Sequence, residues 1–262
     1  MTDILLRSDH NAVASLTLNA PEKLNALSEE MLEALQNELD AIAEDQSIRA
    51  IILRGAGKVF CAGHDLKQMQ QARQAADGGK AYFNELFAQC AHMMVTITKM
   101  PQPVIAEVHG IATAAGCQLV ATCDMAVAAE GTRFGVNGVN IGLFCSTPMV
   151  ALSRNIPRKH AFEMLTTGHF IPAEKALAVG LVNDVVPHEN LSARTTELAE
   201  TVAGKLAAAV KIGKSAFYQQ AEMGLEEAYN YTGAVMAENM LYRDTNEGIA
   251  AFLEKRDPDW KG

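Results

Sequence analysis

Apolar positions recur along this chain with two different periods, and the period changes at turn residues. Residues 12–18 are rich in valine and leucine and predict a strand. A loop follows over 19–25, where Asn, Pro and Asn are turn formers. Ser28 with Glu29 and Glu30 behind it has the form of a helix N-cap, and the helical spacing runs to about residue 43. Residues 50–54 predict a short strand, 55–57 a glycine turn and 59–62 a second extended piece. Helical spacing resumes over 82–98, and Pro101 and Pro103 stop it. Two more strands are expected at 104–108 and 125–129, with a loop over 133–147. Short helices at 159–167 and 173–178 lead to a strand at 181–186.

After Pro187 the pattern is helical throughout, at 191–209, 215–223, 225–241 and 247–254. Strands alternating with helices imply an α/β fold with stacked sheets. The division expected is a core of residues 1–190 and a helical region of residues 191–262, whose apolar faces need a partner.

The stretch His109-Gly-Ile-Ala-Thr-Ala-Ala-Gly-Cys-Gln118 stands out within this pattern. It reads as a strand end, a tight turn and a buried helix start. Gly110 and Gly116 allow a sharp turn and close backbone approach. The alanines leave backbone N–H groups unshielded, at a helix end that carries partial positive charge. Such an end can hold an oxygen that becomes negative during a reaction. It can equally be a small-residue helix start packed in a core. The second segment of interest is Val59-Phe-Cys-Ala-Gly-His-Asp-Leu66, also a strand end running into a glycine turn. Together the two turns could aim two N–H donors at one carbonyl oxygen, and each such donor is worth roughly 10²–10³ in rate.

Composition narrows the classes. The chain has 262 residues, 49% hydrophobic and 6% aromatic, and a net charge of −9. The length suits one large domain or a domain with an appendage. The negative charge argues against general nucleic-acid binding. Five cysteines without a Cys-x-x-Cys pair read as reduced, mostly buried thiols, and therefore as a cytoplasmic protein. The N-terminal residues lack a secretory pattern, and no apolar run reaches spanning length. No metal-ligand spacing is evident. Gly55-Ala-Gly-Lys58 lacks the spacing of a phosphate loop. Cys145 would need a nearby base to act as a nucleophile, and none lies beside it in sequence.

Several ordered pieces resemble the crotonase superfamily, the enoyl-CoA hydratase/isomerase family. They are residues 19–27, Phe60-Cys-Ala-Gly-His-Asp-Leu66, the run from Pro103 through Gly110 to Gln118, Cys123-Asp124, Phe134-Gly135, residues 173–182 and residues 247–252. The resemblance implies a spiral of ββα units with a C-terminal helical trimerisation region. It implies an acyl-CoA thioester as ligand, with coenzyme A as part of the substrate and no separate cofactor. It implies a homotrimer or a dimer of trimers.

By position, the backbone amides of His64 and Ala115 would grip the thioester oxygen. Lys23, Leu24, Ala26, Ala62, Asp65, Leu66, Ile111, Ala114 and Leu143 would line the ligand path, and Phe252 and Lys255 would reach coenzyme A from the tail. The imidazole of His64 is either a plain turn histidine or, given its ordinary pKa near neutrality, a proton carrier.

The chain departs from the family's pattern where hydratases carry two glutamates, which here read Gln118 and Gly138. A neutral amide cannot exchange the protons that hydration requires, and an absent acid–base group costs ~10²–10⁴ in rate. Ser146 stands where dienoyl-CoA isomerases of the family carry an aspartate. The readings carried forward are an acyl-CoA-processing enzyme with weak or absent hydratase activity, a non-catalytic acyl-CoA binder, and a thioesterase working through a water held by Gln118.

Overall fold

The computed structural model describes residues 3–261. Met1 and Thr2, part of the N-terminal stretch read above, and Gly262 lie outside the described residues. The main sheet has six strands in the order β1 (Leu5–His10), β2 (Val13–Leu18), β3 (Ala50–Gly55), β4 (Val104–Val108), β6 (Met125–Ala129) and β9 (Asp184–Val186). All pairings are parallel except β1 with β2. A small second sheet joins β5 (Ile111–Thr113), β7 (Arg133–Gly135) and β8 (Ile171–Pro172).

The main sheet is covered on both faces, as parallel strands require. Side chains alternate between faces with period two. Leu16, Leu18, Ile51, Leu53, Ala106 and Val108 point into the large core, shared with α1 (Glu29–Glu44), α3 (Lys80–Lys99) and α4 (Ala115–Thr122). Val13, Ile52 and Ile105 face the other way, onto Ala199 and Ala203 of α8 (Leu191–Ala203).

A local rule holds at the start of α1. The Ser28 hydroxyl accepts from Met31 N at 3.3 Å, as an N-cap should. Other expectations need correction. Strand β1 was not anticipated, because its largely exposed edge carries Arg7, Ser8 and Asp9 rather than an apolar pattern. The extended piece at 59–62 is too short to count as a strand and pairs with β5 through a bridge from Cys61 to Ala112. The supposed loop 133–147 holds β7, a 3-10 turn at Asn137–Ile141 and the start of α5 (Ser146–Asn155). Pro148 is compatible with this helix because it falls in the first turn, where no N–H partner is lost. The strand at 181–186 shortens to β9, and the helix at 191–209 stops at Gly204 before α9 (Ala207–Gln220) begins. The chain continues through α10 (Leu225–Met240) and α11 (Arg243–Glu254).

Glu107 of β4 is buried on the α8 side of the sheet, with Arg54 Nε 3.7 Å away. Burial pushes its carboxyl above the usual range, against the opposing pull of Arg54 and His188. A raised carboxyl pKa means that ionisation is costlier in the folded chain. The associated stability is full below the unfolded value of about 4.3 and is lost as pH rises through the folded value. Glu107→Gln is therefore expected to raise the melting temperature at pH 8 and to leave it nearly unchanged near pH 4, as calorimetry across that range would show.

Candidate active site

The site lies where β3 and β4 end, at the carboxyl edge of the parallel sheet, the usual ligand position in open α/β sheets. The chain leaves β3 through the turn at Gly55–Gly57, runs back through residues 59–64 and enters α2 (Leu66–Ala72). It leaves β4 through Gly110 and β5 and enters α4. Backbone bonds join the two paths side by side. Phe60 N donates to His109 O at 3.0 Å, Cys61 N to Ile111 O at 3.2 Å, and Thr113 N to Cys61 O at 3.0 Å.

Glycine makes this approach possible at two points. A β-carbon on Gly110 would sit 2.1 Å from Lys58 O, and one on Gly116 would sit 2.3 Å from Cys61 O. Gly110 also has φ +66°, where a side chain is strained. At the closest point of the two turns, a β-carbon on Gly63 would lie 3.1 Å from Ala115 N and 2.9 Å from the Ala114 methyl.

Ala115 is the first residue of α4, so its N–H has no partner within the helix. It donates to nothing else among the described residues. The His64 amide is free in the same sense. Its freedom follows from the parallel bridge of Leu27 to His64, in which Leu27 N bonds to Gly63 O at 2.8 Å. In that pattern the flanking residues make the bonds and the amide of His64 turns to the opposite side. Ala114, just before α4, has φ 50° and ψ −120°. An alanine held there carries strain of about 1–3 kcal/mol, the kind of conformation that clusters at functional sites.

The loop carrying Lys23, Leu24 and Ala26 is clamped onto the first turn by Asn25, which is fully buried. Its side-chain amide donates to Ala56 O at 2.8 Å and Val59 O at 2.9 Å, and its carbonyl accepts from Ala20 N at 3.0 Å. Leu24 O in turn accepts from Ala62 N at 3.0 Å. Leu24 and Leu66 remain exposed, while Asp65 caps α2 by accepting from Lys67 N at 2.8 Å. Asn25 was read only as a turn residue; its place between two segments that converge was the missing signal.

The His64 imidazole is held by Nδ1, which donates to Leu27 O at 3.2 Å, and it packs edge-on to Phe87. Burial holds its pKa below the ordinary histidine value, with the Leu27 bond opposing. Its Nε2 is sealed without a partner. Gln118 lies one turn into α4, buried, with Oε1 likewise sealed and unpartnered.

Gly138 sits in the 3-10 turn, tied to β5 through the Thr113 hydroxyl, which donates to Asn137 Oδ1 at 2.6 Å. There is no room for a side chain there. A β-carbon at 138 would lie 2.3 Å from Leu143 O and 2.8 Å from Cys145 Sγ. The Cys145 thiol is pushed up by burial, with the nearby Gly138 backbone opposing. All five cysteines are free and buried. Phe252 and Lys255 lie exposed at the end of α11, which packs on α10. Among the described residues, no helix is long and apolar enough to cross a membrane, and no group of three acidic, His or Cys side chains could hold a metal ion.

A parallel sheet with a small second sheet and a helical C-terminal region is a fold that known proteins share. The sequence profile described as enoyl-CoA hydratase/isomerase matches residues 8–262. The chain is 46% identical over 259 residues to a Xenopus laevis protein named enoyl-CoA hydratase domain-containing protein 3, mitochondrial, covering 99% of this chain and 86% of that one. A crystal structure of an enoyl-CoA hydratase from Mycobacterium smegmatis superposes with a TM-score of 0.94 at 51% identity, covering 99% of both chains. The structure of human enoyl coenzyme A hydratase domain-containing protein 3 gives 0.93 at 43%, covering 98% of this chain and all of that one.

This chain belongs to the enoyl-CoA hydratase/isomerase family. The expectation of a cytoplasmic protein is corrected by the same comparison, because the frog, rat and human relatives are all named as mitochondrial. Reduced thiols report the redox state of a compartment and do not say which compartment it is.

Proposed function

We propose that this chain binds an acyl-CoA thioester and stabilises negative charge on its carbonyl oxygen between the amides of His64 and Ala115. One observation carries the reading. Two unpaired N–H groups sit on turns that meet within van der Waals distance at Gly63 and Ala114. Donors placed in advance in a buried site cost no reorganisation as charge develops, so they favour the enolate or tetrahedral state over the ground state. Coenzyme A would enter as part of the substrate, along the loop of Lys23, Leu24 and Ala26, past Ala62, Asp65 and Leu66. Ile111 and Leu143 would flank the acyl group.

Hydration is not the chemistry this site favours. Gln118 offers a neutral amide, and position 138 has neither a side chain nor space for one. A non-catalytic acyl-CoA binder is the second reading, and the crowding at Gly138 is what favours it. We further propose assembly into trimers or pairs of trimers. Leu225, Tyr229, Met236, Leu241, Phe252 and Leu253 are all largely exposed on or beside α10 and α11, and exposed apolar side chains gathered on one helical region mark an interaction surface.

The test uses Ala115→Pro, which deletes one donor at the first helical position, where proline fits the helix. Because the residue before a proline is steered toward extended backbone, a native-like melting curve is the control. Acyl-CoA binding is expected to persist within about tenfold while any turnover falls roughly 10²–10³. Equal loss of both would contradict the reading. Turnover of crotonyl-CoA, followed by loss of enoyl absorbance, separates enzyme from binder.

A further inference from the structure

His109 is a polar residue that the proposed chemistry leaves unused, and it joins the two turns of the site twice. Its backbone O accepts from Phe60 N at 3.0 Å, and its imidazole Nε2 donates to Gly57 O at 3.0 Å. A carbonyl can only accept, so the bond to Gly57 fixes a proton on Nε2. Among the described residues, no other side chain makes a hydrogen bond from the turn after β3 to the turn after β4. Gly57 is the tip of the turn after β3, with φ +79°. A β-carbon there would stand 2.6 Å from Pro21 Cβ, so the tip also abuts the loop that carries Lys23 and Leu24.

The ring is seated away from α4. Side chains alternate along β4, so His109, just past its end, falls on the face of Glu107, opposite Val108 and the core shared with α4. It meets His188 edge-on, with ring centroids 5.8 Å apart, just before α8 begins. Burial holds His109 below the ordinary histidine pKa, with the Gly57 bond opposing and His188 adding to the lowering. The imidazole is therefore neutral near pH 7, with one donor and a fixed partner for it. A ring on that face acts on the site through the backbone it holds. Such an effect is not small in principle, because a misplacement of about 1 Å at a reacting group can cost ~10² in rate.

We propose that His109 is a positioning residue: its side chain holds the tip of the turn after β3 against the end of β4 and thereby sets the spacing of the His64 and Ala115 amides. This rests on the reading of those amides as the grip on a thioester oxygen. The backbone bond from Phe60 survives any substitution at 109, so the part played by the side chain can be read alone. That part is one neutral hydrogen bond, and its loss should weaken acyl-CoA binding about three- to tenfold without unfolding the chain.

The experiment compares the native chain with three variants. His109→Leu has no donor, the His109→Asn amide is too short to reach Gly57 O, and the His109→Gln amide nitrogen falls near the place of Nε2. Isotope-edited infrared spectra of butyryl-CoA labelled at the thioester carbonyl report the grip directly, because hydrogen bonds to that oxygen lower its stretching frequency. On the native chain the band is expected below its frequency in water. His109→Leu and His109→Asn should move it back toward that frequency and weaken binding about three- to tenfold, while His109→Gln restores both. Hydrogen exchange on the ligand-free chains adds a second readout. The Phe60 and Cys61 amides, which pair with the turn after β4, should exchange faster in the Leu and Asn variants. A lowered melting temperature with band and exchange unmoved means a purely structural side chain and overturns the proposal, as does a Gln variant no better than Leu. If butyryl-CoA fails to bind the native chain, the acyl-CoA reading falls, and exchange at Phe60 and Cys61 still decides whether the side chain holds the turns together. Should His109→Leu fold poorly, the Asn and Gln variants, both polar, carry the same contrast.

Discussion

Gly116→Ala is expected to abolish acyl-CoA binding and to destabilise the fold by about 3 kcal/mol, the upper end of ordinary overpacking. The added methyl would stand 2.3 Å from Cys61 O and 2.9 Å from Cys61 Cβ. Gly116 is an ordinary helical residue, so backbone strain plays no part and the effect is purely steric. The obstructing atom is a backbone carbonyl in the first turn, which cannot swing aside as a long side chain would. Relief requires α4 to move away from residues 61–64, and that separates the two amides. Urea denaturation and a binding titration on the same sample would check both halves. Gly233→Ala serves as the control, since a β-carbon there meets nothing within 4 Å and alanine favours a helix interior.

The second large effect lies far from the site. Asp124 follows α4 and holds the helical tail to the core. Its Oδ2 accepts from Val104 N and from Lys214 Nζ, both at 2.7 Å, and its Oδ1 accepts from Tyr218 OH at 2.8 Å. Lys214, on α9, also donates to Ile97 O at 2.7 Å and Gln102 O at 2.9 Å, so every ammonium proton is satisfied. Burial pulls the Lys214 pKa below the usual lysine value, with Asp124 opposing. Asp124→Ala leaves a buried ammonium without its counter-charge and is expected to cost about 3–5 kcal/mol. Lys214→Met removes the charge along with the partner's loss, and Asp124 keeps two donors, so it should cost less. A double-mutant cycle read by urea unfolding would give the coupling. Equal losses for the two single variants would mean that the pair is not what joins the tail to the core.

Much of this architecture was legible in the sequence. Short apolar runs located β2, β3, β4 and β6 because buried parallel strands need continuous apolar positions. The pair of glycine turns was legible as well, since Gly110 and Gly116 have few other uses in an apolar helix start. What escaped was set by tertiary contact. Alanine does not advertise a left-handed backbone, so the conformation of Ala114 could not be read from its type. Gly138 looked like a deleted side chain; the fold adds that Leu143 O and Cys145 Sγ fill the space. Restoring a glutamate there would require the loop to move, so a glutamate substitution at 138 would not be a clean reversion. Asp124 and Lys214 are 90 positions apart, and nothing local announces their pairing.

The account stands on one contact that an acyl thioester should make. A crystal structure with butyryl-CoA bound measures it directly. The thioester oxygen is expected within about 2.7–3.1 Å of both His64 N and Ala115 N. A carbonyl held elsewhere, or either amide found donating to the chain's own backbone in the complex, would contradict it.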